Sequence, residues 1–162
     1  MKYFIAALAI LSSTIGFAAN SFKEVTDPMS DAKRGIAAIN SGGKITPVVK
    51  CDNNGMGSMY ISFIASEYLG VVKYKTRNIK VRFDSSEPYE VSAYHDGSTA
   101  SVFDLKPGAA SGKLLTDMMT AKRMVVQLTT YDYDAVTDVF ELDNAGEVIK
   151  KAILTCGDAT WQ

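Results

Sequence analysis

Short alternations of apolar and polar residues, separated by turn residues, fill most of the chain. The clearest alternation spans residues 79–84, where three apolar residues alternate with three charged ones. Because successive side chains of a strand point to opposite faces, this period of two predicts half-buried β-strands. We place the strands at residues 22–25, 33–40, 45–51, 59–65, 71–83, 89–94, 101–105, 123–130 and 133–142.

The second of these segments, residues 33–40, is weakly patterned and could form a helix or a strand. We interpret it as a strand because Gly35 would be costly inside a helix. Two turns have stronger signals. Asn54-Gly55 separates the third and fourth strands, and Asp96-Gly97 lies in a loop, residues 95–98, between the sixth and seventh.

The apolar period changes to three and four residues in two places, which predicts two helices. The first helix follows Pro107-Gly108, and Ser111 is placed to cap it. The second carries one apolar stripe, consisting of Ala145, Val148, Ile149, Ala152, Ile153 and Cys156. Runs of strands with two separated helices predict an α+β fold: a mainly antiparallel sheet or half-sandwich with the helices on one side.

The N-terminus has the layout of a secretory signal peptide. Lys2 precedes an apolar run at residues 4–11, and small residues precede a cleavage site that we expect after Ala18. An apolar run of about 8 to 12 residues is too short to cross a bilayer core, which needs roughly 20. We therefore expect residues 1–18 to be removed and residues 19–162 to form one exported domain, periplasmic or secreted, without stable membrane insertion.

The expected mature chain contains two cysteines, Cys51 and Cys156. In an exported protein, two cysteines without CxxC spacing favour one structural disulfide. A disulfide would close the long loop between residues 51 and 156, which would stabilise the fold by roughly 4 to 5 kcal/mol on the chain-entropy model. The alternative is a pair of buried free thiols.

The charge balance disfavours two classes of partner. Without Lys2, 16 Lys and Arg face 18 Asp and Glu, a net charge of −2. This balance, with no run of basic residues, favours neither a nucleic acid nor an anionic membrane surface.

No motif in the chain predicts catalysis, a metal site or a cofactor. His95 is the only histidine, no GxSxG sequence accompanies it, and its Asp-Gly neighbourhood predicts an exposed turn residue. Asp132, Asp134 and Asp138 offer oxygen ligands, but a calcium loop would need an oxygen donor and then a glycine where Val136 and Thr137 stand. We expect a non-enzymatic protein.

The stretch from Thr130 to Asp138, TYDYDAVTD, joins two predicted strands. Its flanks alternate, so Tyr131, Asp132, Tyr133 and Asp134 are expected at the end of a hairpin. The stretch is either a solvated turn or a tip that binds a partner, since exposed tyrosines supply the contact area that interfaces use.

Several motifs together resemble one family. They are Asp27-Pro28-Met29-Ser30-Asp31, Val48-Val49-Lys50-Cys51, Val81-Arg82-Phe83-Asp84, Ala121-Lys122-Arg123-Met124-Val125-Val126, Val139-Phe140-Glu141-Leu142 and a last helix that ends in Cys156. Over nearly the whole chain after residue 18, this order is similar to the type VI secretion-associated VasI/TagO-like family of small exported bacterial proteins. The resemblance implies a periplasmic accessory protein that acts through protein contacts, without a cofactor.

We therefore expect the partner to be an envelope or secretion-apparatus protein. The alternative is an exported, prophage-borne inhibitor or superinfection-exclusion factor that inserts a loop into the cleft of an envelope or cell-wall enzyme. The candidate interaction surface comprises Arg82, Asp84, Tyr94, His95, Tyr131, Asp132, Tyr133 and Asp134. On the residues alone, Arg82 and Asp84 more often form an ordinary surface ion pair than a site.

Overall fold

The computed structural model describes residues 20–40, 42–53, 58–72 and 75–157, apart from the side chains of residues 58 and 156. These residues form nine strands and two helices. The strands are β1 (Ser21–Thr26), β2 (Lys33–Ala38), β3 (Ile45–Asn53), β4 (Ser58–Ala65), β5 (Arg77–Phe83), β6 (Tyr89–Asp96), β7 (Thr99–Val102), β8 (Arg123–Thr129) and β9 (Ala135–Glu141). The helices are α1 (Ala110–Thr120) and α2 (Ala145–Cys156).

The strands form one antiparallel sheet in the order β1-β2-β3-β4-β7-β6-β5-β8-β9. The prediction of an α+β fold with a mainly antiparallel sheet and two helices is confirmed. Residues 21–65 form a four-stranded meander, and β5 to β7 form a second meander that joins the first through β7. The sheet curves so far that the Ile45 amide of β3 donates a 3.0 Å hydrogen bond to Asp138 Oδ2 of β9.

Helix α2 packs across β1 to β4 and also contacts α1. A Cβ atom at Gly35 in β2 would lie 2.5 Å from the carbonyl oxygen of Ala152, so the helix backbone occupies the space that a side chain would need. The interpretation of residues 33–40 as a strand is confirmed, with β2 ending at residue 38. Glycine is required at position 35 because the helix backbone approaches the strand too closely for a side chain.

Three local predictions are wrong. Strand β5 begins at Arg77, six residues later than residue 71. The turn between β6 and β7 contains only residues 97–98, so β6 ends at residue 96 instead of 94, and β7 spans residues 99–102 instead of 101–105. Ser111 does not cap α1, because Ala109 is the N-cap residue and the Ser111 hydroxyl donates instead to the Asp104 carbonyl oxygen at 2.8 Å.

Several predictions fall on other parts of the chain. The signal peptide, residues 1–18, and the Asn54-Gly55 turn lie outside the described residues, as does the side chain of Cys156. Neither helix in the described part of the chain is long and apolar enough to span a membrane.

Candidate functional site

The loop between β8 and β9 has a fixed backbone. Thr129 pairs with Ala135, which confirms that the TYDYD stretch lies at a hairpin end. The Thr130 amide donates to the Asp134 carbonyl oxygen at 2.8 Å, and the Asp134 amide donates to Thr130 Oγ1 at 3.1 Å. Tyr133 occupies the left-handed region, with φ of +68°, and its amide donates to the Thr130 carbonyl oxygen at 3.1 Å. These bonds define the direction in which the loop presents its side chains.

A second loop packs against this hairpin and brings a third tyrosine to it. The Tyr131 amide donates to the Tyr68 carbonyl oxygen at 3.0 Å, and the two ring centroids lie 5.9 Å apart. Tyr68, Tyr131 and Tyr133 are 53%, 61% and 83% exposed. We call these three residues the tyrosine tip. Tyr68 was not predicted as part of this surface, because it is 63 residues from Tyr131 and meets it only through tertiary packing.

Gly70 allows the close approach of these two loops. Its φ is +88°, which favours glycine, and a Cβ atom there would lie 3.1 Å from the Tyr131 ring. The position therefore needs glycine both for its backbone conformation and for its contact with the tip.

Arg77, at the start of β5, forms hydrogen bonds with the backbone of both loops. Its Nη1 donates to the carbonyl oxygens of Leu69, Thr129 and Thr130 at 3.3, 3.2 and 3.4 Å. A single guanidinium group thus holds the ends of both loops together. Charged donors make stronger hydrogen bonds than neutral ones, so this contact stabilises the backbone of the tyrosine tip.

His95 lies close to Arg77 and is only 2% exposed, so the prediction of an exposed turn residue is wrong. The β6–β7 turn is short, and position 95 continues the inward-facing alternation of Val91 and Ala93. A buried ring cannot belong to an interaction surface, and His95 is therefore removed from the candidate set.

The environment of the His95 ring disfavours its charged form. Burial and, to a smaller extent, the positive charge of Arg77 lower its pKa, and backbone groups of Arg77 and Leu69 offset only part of this effect. Neither ring nitrogen completes a hydrogen bond within the described part of the chain. Burial of this polar ring is thus only partly compensated, which is rare in native cores.

Carboxylates surround the tyrosine tip. Asp132 and Asp134 are exposed and line a cleft together with Glu67 and Lys44. Lys44 Nζ lies 3.3 Å from Glu67 Oε1, so one acid near the cleft is paired. Among the described residues, no group of three or more acids, histidines or cysteines is placed to hold a metal ion. The surface around the tip is net negative.

Arg82 lies near the other end of β5, about five strand residues or roughly 17 Å from Arg77, and Asp84 directly follows the strand. Both residues are in the described part of the chain, and they form no ion pair with each other, so that prediction is wrong. Arg82 Nε donates to the Ser86 carbonyl oxygen at 3.0 Å. Asp84 has a φ of +47°, and its Oδ1 accepts the amides of Lys122 and Arg123 at 3.0 and 2.9 Å. Both side chains stabilise the turn.

Tyr94 lies on the sheet face opposite the buried His95. It is 49% exposed, and its ring is 5.7 Å from that of Phe103, which is in turn 5.3 Å from that of Tyr60. We call these three residues the aromatic patch. Tyr60 and Phe103 were missed, although both stand at outward positions of neighbouring segments.

The structure therefore divides the predicted surface into three parts. Tyr131 to Asp134 belong to the tyrosine tip and its surroundings, Tyr94 belongs to the aromatic patch, and Arg82 with Asp84 belongs to a turn. The tip offers aromatic area, hydroxyl groups and carboxylates, which is the chemistry of protein recognition. Comparison of the chain with family models, with curated proteins and with solved structures gives no match.

Proposed function

We propose that this protein is a non-enzymatic periplasmic accessory protein that binds another envelope protein through the tyrosine tip. The observation that carries the proposal is the exposure of Tyr68, Tyr131 and Tyr133 on two loops that Arg77 holds together. Tyrosine supplies a large amphipathic contact area and has few rotatable bonds to order on binding.

The fixed backbone of the two loops lowers the conformational entropy that is lost when a partner binds the tyrosine tip. Association costs conformational freedom, and a loop that is already ordered loses less of it. The Tyr131 backbone bond to Tyr68 and the Asp134 bond to Thr130 keep the hairpin ordered before a partner arrives. The tip therefore has the preorganisation that a specific protein contact needs.

Charge favours a basic surface on the partner. Asp132 and Asp134 add negative charge next to the tyrosines, while Lys44 is paired with Glu67. Complementary charges increase association rates and disfavour partners of the wrong sign.

Export and the secretion context are supported by the sequence. Residues 1–18 have the layout of a signal peptide, and the motif order resembles the type VI secretion-associated VasI/TagO-like family. Together they favour a component of the secretion apparatus as the partner. The inhibitor or exclusion role is the second candidate, because Tyr133 stands in the turn of a hairpin that could enter an enzyme cleft.

A disulfide between Cys51 and Cys156 is part of the proposal. Cys51 is fully buried in β3, and α2, whose last residue is Cys156, packs against that strand. Within the described part of the chain no cysteine is a free thiol. The intact mass of the exported protein should rise by two hydrogens on reduction. Equal masses, with two thiols that alkylate without reductant, would contradict the bridge.

The binding proposal is tested by site-specific photocrosslinking in the periplasm. A photoreactive amino acid replaces Tyr133 in one variant and Met29 in a control, since Met29 is 93% exposed at a different turn. We expect position 133 alone to crosslink to a secretion-apparatus component. A crosslink to a cell-wall hydrolase or phage protein would favour inhibition or exclusion, and identical adducts at both positions would overturn the tip as the contact surface.

A further inference from the structure

A groove runs beside the aromatic patch on the outer face of the sheet. Tyr94 and Phe103 form its apolar wall, and Glu90 and Asp104 contribute carboxylates. Asn78, Ser92 and Ser111 complete the lining nearby. The groove shares no lining residue with the cleft beside the tyrosine tip, so binding at the groove does not depend on the proposed function.

The aromatic wall is held in place by ring packing but is open to solvent. Phe103 lies between Tyr60 and Tyr94 at centroid distances of 5.3 and 5.7 Å, which fixes its orientation. Phe103 is nevertheless 44% exposed and Tyr94 is 49% exposed. Ring surface therefore remains available for contact with another molecule.

Glu90 and Asp104 differ in the hydrogen bonds and ion pairs that their carboxylates already form. Glu90 Oε2 accepts a 2.7 Å bond from Asn78 Nδ2, and Lys80 lies 4.0 Å from its other oxygen. The exposed Asp104 side chain forms no hydrogen bond or ion pair with the described residues; only its backbone oxygen accepts the bond from Ser111. Asp104 thus places negative charge beside Phe103 without a cation from the described residues to balance it.

We infer that this groove binds an arginine side chain of a basic segment in a protein partner. A guanidinium group can stack on Tyr94 or Phe103 and donate to the carboxylates of Asp104 and Glu90 at its edge. Charge complementarity supports this occupant, because the groove combines exposed aromatic area with net negative charge. A neutral glycan would use the rings but would leave the Asp104 charge without a counterion.

The chain itself contains cation–aromatic contacts of this kind. Lys113 Nζ lies 4.2 Å from the centroid of the Tyr89 ring, and Lys50 Nζ lies 5.7 Å from that of Tyr60. In the first case an acid completes the arrangement, since Asp117 bonds to both Lys113 and the Tyr89 hydroxyl. An arginine in the groove would reproduce this combination of ring, cation and carboxylate between two molecules.

The test uses three short peptides that differ at one residue, which is arginine, lysine or citrulline. Citrulline keeps the shape of arginine and removes its charge. Binding is followed by NMR titration of the isotopically labelled protein, with the Tyr94, Phe103 and Asp104 amides as reporters. We expect the arginine peptide to shift these signals and the citrulline peptide to bind at least about tenfold more weakly. The lysine peptide should fall between them, because an ammonium group cannot stack on a ring as a planar guanidinium does.

Two matched variants locate the effect. Asp104→Asn removes the charge, and asparagine tolerates the φ of +53° at this position. Asp31→Asn is the control, because it removes the same charge from an exposed turn residue with a similar φ of +55°. We expect about a tenfold loss of arginine-peptide affinity for the first variant and no change for the second.

Three results would overturn the inference. They are equal binding of the arginine and citrulline peptides, an equal loss in both variants, and binding of a cell-wall glycan fragment in the groove without any response to the arginine peptide. Failure of the tyrosine-tip crosslink would leave these outcomes unaffected, because the two experiments probe separate surfaces.

Discussion

Two regions of the molecule fill their buried space with different kinds of contact. Where α2 crosses β2, the helix backbone lies directly over Gly35 and contacts are apolar, with Ala37 and Ile149 fully buried nearby. Where the loops below the tyrosine tip meet, polar groups fill the space instead. There Arg77 donates to three carbonyl oxygens, while the buried His95 ring has no hydrogen-bond partner among the described residues.

The two regions therefore differ in the kind of substitution that destabilises them. The contact at Gly35 depends on volume, because any added atom meets backbone that cannot move without shifting the helix. The junction at Arg77 and His95 depends on hydrogen bonds and charge, because an unpaired buried polar group costs free energy whatever its size. Substitutions that change one property at a time separate the two cases.

The largest effect is expected from Gly35→Val. Its first side-chain atom would lie 2.5 and 2.7 Å from the carbonyl oxygen and Cα of Ala152. The helix must then shift, and we expect the free energy of unfolding to fall by about 3 kcal/mol, measured by urea denaturation. Ala38→Val is the matched control, since it adds two methyl groups to the same strand at a half-buried position. An equal effect in both variants would refute the volume argument.

Arg77→Met should have the next largest effect. Methionine provides an unbranched apolar side chain but lacks the guanidinium group that donates to the carbonyl oxygens of Leu69, Thr129 and Thr130. We expect the free energy of unfolding to fall by about 2 kcal/mol. Hydrogen exchange should accelerate at the Tyr131 amide, which bonds to the neighbouring loop. Arg82→Met, at an exposed position of the same strand, is the control. It removes one solvent-exposed bond, to the Ser86 carbonyl oxygen, and should lower stability by less than about 1 kcal/mol.

Unchanged protection at the Tyr131 amide in Arg77→Met would mean that the two loops stay together without the guanidinium group. That result would also weaken the proposal of a preorganised binding tip.

The smallest effect at neutral pH is expected from His95→Leu. The variant replaces a buried ring that lacks hydrogen-bond partners among the described residues, so we expect it to be about 1 kcal/mol more stable than the parent at pH 7. The substitution also removes the only histidine in the chain, which makes the pH dependence of the two proteins directly comparable.

The sign of this pH dependence follows from the lowered pKa of His95. Between the folded pKa and the ordinary value of 6.5, the unfolded chain binds more protons than the folded protein, so stability rises with pH. The free energy of unfolding of the parent protein should therefore be unaffected by His95 above about pH 7. It should decrease as the pH falls through 6.5, by at most about 1.4 kcal/mol per pH unit. His95→Leu should show a flatter profile as the pH falls from about 7 through 6.5, and parallel profiles would refute the assignment.

Much of the fold could be predicted because the alternation of apolar residues reports directly on strand faces. Residues 45–51 and 123–130 were placed almost correctly, and the period of three and four located α2. The pairing of β4 with β7 could not be predicted, because Ile61 and Val102 are far apart in sequence and no turn signal joins their strands. Local patterns specify elements, whereas tertiary packing determines their neighbours.

The candidate site was predicted in part for the same reason. Tyr131 and Tyr133 were found because both lie in one hairpin loop, while Tyr68 and Arg77 come from other segments. The exposure of His95 was predicted wrongly because the Asp-Gly turn signal was given more weight than the inward alternation at residues 91, 93 and 95. A turn dipeptide shows that a turn is near, but the alternation decides which side chains it buries.

The position of α2 has a consequence for protein synthesis. Its residues are made after all nine strands of the described sheet, yet they cover the first three of those strands. Until α2 emerges from the ribosome, the inner face of β1 to β3 lacks the helix that packs on it, and we expect stable folding to wait. A nascent chain arrested before residue 145 should therefore remain sensitive to protease in strands that were completed about a hundred residues earlier.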